Sequence, residues 1–460
     1  MKKQRPGDIV TLADEAPSRI LHLEAYRSAG NALLKLGRFS FAIEQIERAL
    51  EIEPADKESL RKKGVLLGRL GRHEEASVLL EELLKSAPDD AETEALLGRV
   101  KKDQWVKTWR AEGKSPEAMK EDAAYEDGLL RQSIAQYREA FMNDPGNYFP
   151  GINALTLSHL LHHLVGGDED DLARQTLEGG VRWAVQSVLA KEKPESPDYW
   201  ARVTIGDLEL LQGDADKIVR AYKNAVSVAE KDWFALDSSR QQLVLLHQLG
   251  FRPAEVEAAL SVFSRALNKL NPPWSPRNVF LFSGHMVDAP DRPVPRFPPS
   301  KEDSVAAAIS ATLEELNAGP EDLAICSGAC GGDLLFDEAC LARGSRLEMR
   351  LPFGEPEFLQ RSVSFAGEEW SKKFFEVKAH PNTNVLFMQE ELGPTAKNQN
   401  PFARNNVWQL NTALSHGPER LTCICLWDGK GGDGPGGTQH MIQEAEKRSG
   451  RIRILDINTL

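Results

Sequence analysis

Two hydrophobic rhythms divide this chain. From about residue 21 to 270, apolar positions recur every three or four residues, the period of helices with one buried face. Beyond residue 279, short apolar runs alternate with helical stretches. Within the helical part Gly30, Gly64 and Gly98 stand 34 residues apart, and so do Gly37 and Gly71, Ala42 and Ala76, and Pro54 and Pro88. Small residues at a fixed period mark places where one helix crosses another, and proline after the second helix ends each pair.

A 34-residue period of this kind is the tetratricopeptide pattern, in which each helix pair stacks on its neighbours because it cannot bury its apolar face alone. Regularity then lapses. Residues 101 to 126 are charged and predict a long helix followed by a loop around Gly113 to Pro116. Ser133, Tyr137, Ala140 and Pro145 fit the second helix of a further unit, and Gly206, Gly213, Tyr222 and Ala225 fit most of another. Residues 1–20 carry no pattern and are expected to be a frayed lead-in. Asn271-Pro-Pro-Trp-Ser-Pro276 breaks the helices and marks a domain boundary.

Past that boundary, strands are predicted near 279–283, 323–327, 346–351, 384–388, 421–427 and 452–457. Helices are predicted near 301–317, 332–343, 355–376, 403–415 and 437–449. Such alternation implies a mostly parallel, doubly wound sheet. The expected fold class is therefore α + α/β, an all-helical tetratricopeptide-like solenoid followed by a Rossmann-like sheet. The expected division is repeats and a linker helix over 21–130, further helical repeats over 131–272, a linker over 273–278 and the α/β domain over 279–460.

Composition narrows the function classes. A formal charge of -13 disfavours non-specific nucleic-acid binding, which needs Lys and Arg against phosphates. No run approaches the ~18 apolar residues of a membrane span, and Met1-Lys-Lys-Gln-Arg-Pro-Gly-Asp8 is not followed by an apolar signal core. A cytoplasmic location without a membrane partner is the expectation. Cys326, Cys330, Cys340, Cys423 and Cys425 lack CxxC spacing and read as buried thiols. His159, His162 and His163 read as packed or solvated side chains of an apolar helix, so no metal site is predicted.

Candidate chemistry gathers where predicted strands run into glycine-rich turns. Leu323–Cys326 enters Ser327-Gly-Ala-Cys-Gly-Gly-Asp333, and a helix leaves it. Glycines at 328, 331 and 332 let the backbone turn tightly and bring N–H groups against a ligand, while the helix start favours phosphate. No P-loop Lys-Ser/Thr follows and GxGxxG is not spelled, so a plain chain reversal is the alternative. Asp428-Gly-Lys-Gly-Gly-Asp-Gly-Pro-Gly-Gly-Thr-Gln-His440 repeats the joint after the strand Leu421–Trp427. Two such loops on one parallel sheet share the edge where open α/β sheets bind ligands. The first strand empties into Ser283-Gly-His285, and the irregular stretch from Asp288 to Pro298 reads either as a surface excursion or as a binding loop. His285 and Arg296 are candidate anion contacts. Asp333 either caps its helix or accepts from ribose hydroxyls. Asp428 and Asp433 are candidate acid–base residues, with turn formation as the equal alternative.

Two family resemblances follow. Asn147-Tyr-Phe-Pro-Gly-Ile-Asn-Ala-Leu-Thr156, Tyr199-Trp-Ala-Arg202 and Lys231-Asp-Trp-Phe-Ala-Leu-Asp237 resemble the TRAFs-binding domain family, the helical regulatory region also found in apoptosis-signal-regulating kinases. That resemblance covers roughly 130–270 and implies an interaction or autoregulatory scaffold. Ser283-Gly-His285, Ser327–Asp333, Leu351-Pro-Phe353 and Gly434-Pro-Gly-Gly-Thr438 resemble the SLOG superfamily, which includes LOG phosphoribohydrolases, DNA-processing proteins and nucleotide-signal sensors. It covers about 279–460 and implies a nucleotide-derived ligand held at residues 283–285, 327–333 and 433–438; with the anion candidate Arg296 added, the expected ligand-binding residues are Ser283, Gly284, His285, Arg296, Ser327, Gly328, Gly331, Gly332, Asp333, Gly436, Gly437 and Thr438. The LOG enzymes carry Pro-Gly-Gly-x-Gly-Thr-x-x-Glu, whereas here the glutamate position is Gln443, with Glu444 one place off. One place on a helix is a rotation of roughly 100°.

Taken together these readings imply a signalling or defence protein whose repeats bind a protein partner or a second copy, and whose α/β domain senses a nucleotide-derived ligand. Cleavage of an N-glycosidic bond in NAD or a nucleoside monophosphate through Asp428 or Asp433 is the alternative. A pure interaction scaffold is the third reading.

Overall fold

The segment expected to be a frayed lead-in is a helix, α1 (Pro6–Asp14). Proline at a first helical position loses no bond, because that N–H has no intrahelical partner. Gly7 lets α1 lie against another backbone: a Cβ there would fall 2.6 Å from the Cα of Thr412. Docking therefore orders a segment whose sequence has no rhythm of its own. The computed structural model describes residues 5–166, 171–229, 232–270, 274–289, 292–430, 436–448 and 451–460. Two units form, one from Met1–Pro54 with Ser275–Leu460, the other from Ala55–Trp274. The first unit thus takes in the first helix pair of the expected 21–130 repeats, α2 (Arg19–Lys35) and α3 (Phe39–Ile52).

The helical unit comprises α4 (Lys57–Arg69), α5 (His73–Ser86), α6 (Ala91–Trp109), α7 (Pro116–Tyr125), α8 (Asp127–Asn143), α9 (Tyr148–Val165), α10 (Asp171–Ala190), α11 (Tyr199–Gln212), α12 (Ala215–Val228), α13 (Trp233–Gln248) and α14 (Pro253–Leu267). Its periodic glycines are contact points. A Cβ on Gly64 would sit 2.9 Å from Leu80, and one on Gly206 would sit 2.5 Å from the Tyr222 ring. In the first unit, Gly30 meets Ile46 the same way, at 2.6 Å. The period lapses for a visible reason. Gly98 of α6 meets Tyr137 of α8, and the Ser133 hydroxyl donates to the Gly98 carbonyl at 2.7 Å, so α7 is inserted between the helices of that pair.

The three segments that resemble TRAFs-binding domains are capped helix starts. Asn147, Asp198 and Asp232 accept backbone N–H groups at the N-termini of α9, α11 and α13. Two aromatic residues follow each cap. The first of the middle pair, Tyr199, is buried and its hydroxyl lies 2.8 Å from Ser239 Oγ, while the second members Phe149, Trp200 and Phe234 stay 47%, 49% and 45% exposed.

The α/β part runs β1 (Val279–Gly284), α15 (Glu302–Glu315), β2 (Leu323–Cys326), α16 (Gly332–Ala342), β3 (Arg346–Leu351), α17 (Glu355–Ser362), α18 (Glu368–Ala379), β4 (Thr383–Phe387), α19 (Met388–Leu392), α20 (Pro401–Leu414), β5 (Leu421–Trp427), α21 (Thr438–Lys447) and β6 (Arg451–Asp456). The helix expected over 355–376 is two helices, because Gly367 (φ 119°) turns the chain between them. All six strands are parallel, in the order β4-β3-β2-β1-β5-β6. The architecture is α + α/β. Chain order reverses at β1, which pairs with β2 on one side and β5 on the other, and a crevice opens beyond the strand ends at such a switch.

Candidate functional site

A cavity of 540 Å³ lies at the switch, walled by the segments that leave β1, β2 and β5. Of the twelve residues expected to hold a ligand, nine line it: Ser283, Gly284, His285, Arg296, Ser327, Asp333, Gly436, Gly437 and Thr438. Gly328, Gly331 and Gly332 do not. Their lack of side chains serves packing: a Cβ would strike Met349 at 2.3 Å from Gly328, Val287 N at 2.6 Å from Gly331, and Phe282 and Leu426 at 3.1 Å from Gly332. Gly436 combines both roles, lining the cavity at φ 95° while its backbone presses on Phe402 and Ala403.

Asp333 sits in the first turn of α16 and accepts the Ala329 N–H at 3.3 Å. Burial pushes its carboxyl up to about 7, against the pull of the Ala329, Gly284 and Ser327 N–H groups and the Cys326 thiol. It is the one carboxylate among the described lining residues. One turn further along α16, Asp337 is fully buried, and burial together with Asp333 raises it well above the carboxylate range.

His285 Nε2 lies 3.2 Å from both the backbone N and Oδ1 of Asp428. Burial lowers its pKa despite the pull of the Asp428 carboxylate, and the Asp428 N–H donates to Nε2. Asp428 itself does not line the cavity. Its carboxylate accepts the Lys430 N–H at 3.0 Å, as a turn-forming aspartate does, and its Oδ1 lies beside His285 Nε2. Burial opposes its ionisation, yet the Lys430 N–H holds it below its usual range. Asp433 lies outside the described residues. Gln443, at the LOG glutamate position, faces solvent.

The stretch after β1 is a pinned loop. Asp288 Oδ2 accepts the N–H groups of Arg296 and Phe297, both at 2.8 Å, and Asp288 N donates to Phe297 O at 2.8 Å. Closing that neck places Arg292 and Arg296 on the cavity wall.

One wall went unread in the sequence. Phe402, Asn405, Asn406 and Gln409 occupy one face of α20 and line the cavity, and Asn400 caps that helix. Asn405 and Gln409 donate to the Arg350 carbonyl at 2.8 and 3.3 Å and to Ser327 Oγ at 3.2 and 2.7 Å. With both its lone pairs occupied, the Ser327 hydroxyl has only its proton to offer elsewhere. Asn406 donates to the Gly436 carbonyl at 2.8 Å and so holds the second glycine loop. The signal was present as amides spaced i, i+4 on a helix destined for burial.

Elsewhere, His163 Nε2 lies 3.1 Å from the Leu249 carbonyl, and the five cysteines are buried and free. No group of three or more metal-ligating side chains occurs among the described residues, and no described helix is long and apolar enough to cross a membrane.

With the two units defined by a helical repeat and a parallel α/β crevice, comparison with known proteins bears on the repeat. A family model described as Tetratricopeptide Repeats-Sensor matches residues 38–158. Among solved structures, TTC0263, a tetratricopeptide repeat protein of Thermus thermophilus, is 19% identical with TM-score 0.34, over 48% of this chain and 99% of its own. A tetratricopeptide repeat protein of Parabacteroides merdae is 14% identical with TM-score 0.30, over 54% of this chain and 80% of its own. No curated protein matches. The helical region is tetratricopeptide-like, the kind of scaffold that supports protein interaction.

Proposed function

We propose that the α/β unit binds a nucleotide-derived ligand in the switch-point cavity and that the repeats pass its presence to a protein partner, making the chain a sensor. The reading rests on one observation: residues chosen from three separate loops for resemblance to SLOG proteins line a single cavity that also carries Arg292, Arg296 and the N-terminus of α21. Arginines and a helix start suit phosphate, and the amide wall of α20 suits the polar edge of a base or sugar. The family matched over 38–158 has "Sensor" in its name, which agrees with this use.

Calorimetric titration of the full chain with AMP and NAD tests the reading. Saturable binding weakened tenfold or more by Arg296→Gln is expected. Absence of binding to a broad nucleotide panel would sink it.

A hydrolytic reading has one observation in its favour, the Asp333 carboxyl in the cavity with a pKa of about 7. If an N-glycosidic bond is cleaved, Asp333 rather than Asp428 supplies the acid. Release of nicotinamide from NAD, lost in Asp333→Asn and retained in Asp428→Asn, is the result that would favour it.

A further inference from the structure

Helix α20 has two working faces, and only one belongs to the cavity. On the other, Arg404, Trp408, Asn411 and Thr412 meet α1. Arg404 clasps Glu15 with Nε and Nη2 at 2.7 and 2.8 Å, Trp408 Nε1 donates to Asp8 at 2.6 Å, and Asn411 donates to Thr11 at 3.0 Å. Arg350, on the strand whose carbonyl receives Asn405 and Gln409, stacks over Trp408 at 4.3 Å with Asp8 3.6 Å from its Nη1. The other cavity helix is tied to the same segment: its start, Thr438, lines the cavity, and just past its end Arg448 pairs with Glu44 of α3 at 2.9 Å.

The interface is built from charge, and it is incompletely satisfied. Arg350 is 1% exposed with its Nη1 making no hydrogen bond, and Asn411 is fully buried with Oδ1 unbonded. Such pairs add little net stability relative to an apolar contact, and fixing register is the role best attested for them. On a helix, register is rotation, and rotating α20 by one residue would carry Asn405 and Gln409 off the cavity wall.

We propose that Asp8 and Glu15 are positioning residues for the cavity, acting through α20, so that docking of α1 and occupancy of the cavity are thermodynamically coupled. The ligand half of this statement rests on the nucleotide-binding reading; the positioning half does not. Coupling of this kind is reciprocal: a ligand that fixes the amide face must tighten α1, and loosening α1 must weaken the ligand to the same extent. The chain's N-terminal helix and first helix pair thereby become the readout of the cavity.

The test is hydrogen exchange on the full-length protein, wild type against Glu15→Gln and Asp8→Asn, with Leu80→Ala as a control for lost stability in the helical unit. Both α1 variants are expected to speed exchange in residues 6–14 and, at least threefold, in 401–414, while the control changes neither selectively. Two nearly isosteric variants guard against misfolding of one. Faster exchange in 6–14 with 401–414 unaltered overturns the proposal, and so does unaltered exchange in both segments. In a second arm, AMP and NAD are expected to slow exchange in 6–14 of the wild type, and Glu15→Gln to weaken either probe at least threefold. Failure of both probes to bind wild type counts against the nucleotide reading alone, because the first arm uses no ligand. Binding that is equal in wild type and Glu15→Gln overturns the coupling.

Discussion

Asp333 shows what one residue contributes. Its folded pKa of about 7 lies above the 3.8 of an ordinary aspartate, so between about pH 4 and 7 the folded chain keeps a proton that the unfolded chain has released. Its contribution to stability is therefore complete at low pH and falls as pH rises through 7. Asp333→Asn is expected to flatten that fall, gaining on wild type at pH 8 relative to pH 5. Urea midpoints at the two pH values measure it, and parallel curves would assign the proton to another group. Gly332→Val is expected to cost ~1–3 kcal/mol by overpacking Phe282 and Leu426, which thermal melts without ligand would register. At this scale the sequence was legible in part. Small residues after a strand announce a backbone approach, but whether a ligand or the protein's own core makes that approach depends on neighbours far away in the chain. Hence Ser283 and Ser327 fell in the cavity while Gly332 turned out to pack the sheet. Asn405 and Gln409 escaped because helical spacing alone does not say which face a cavity takes.

Among the elements, the repeat glycines make opposite predictions at two sites of the same unit. Gly206→Ala puts a methyl 2.5 Å from the Tyr222 ring and is expected to destabilise by ~1–3 kcal/mol. Gly179, exposed on α10, has nothing within 4 Å of its missing Cβ, so Gly179→Ala is expected to stabilise by ~0.5–1 kcal/mol through helix propensity. Chemical denaturation of the two variants is the measurement, and equal effects would contradict the crossing role of Gly206. The repeat was readable because helix crossings demand small residues at fixed intervals. The strands were readable because a sheet covered on both faces needs unbroken apolar runs, as in Leu421–Trp427. Helix α7 falls between the partners of a pair, so its presence appears in the sequence only as a lost period. Helix α1 left no trace, since what orders it is Trp408, Arg404 and Thr412.

At the scale of the whole molecule, the α/β part shares one compact unit with residues 1–54. Removing residues 1–54 takes Glu15 from Arg404 and Asp8 from Arg350, which keeps only Glu348, and breaking a buried pair such as Arg404–Glu15 costs ~3–5 kcal/mol out of a typical ~5–15. A fragment of residues 275–460 is expected to melt early and broadly, and adding 1–54 in trans is expected to restore a cooperative transition. Near-UV dichroism of the fragment alone matching its complemented form would refute this. The contact that explains it also governs biosynthesis. Asp8 and Trp408 are 400 residues apart, which at about 5–20 residues per second is roughly 20–80 s of translation. Throughout that interval α1 has emerged without its partner helix, and β1 waits for β5 to complete the centre of the sheet. The intervening 55–274 unit is contiguous and can gather as it leaves the ribosome. Until its own α20 exists, α1 is open to the α20 of another copy, so exchange of α1 between copies is the misassembly expected of this architecture.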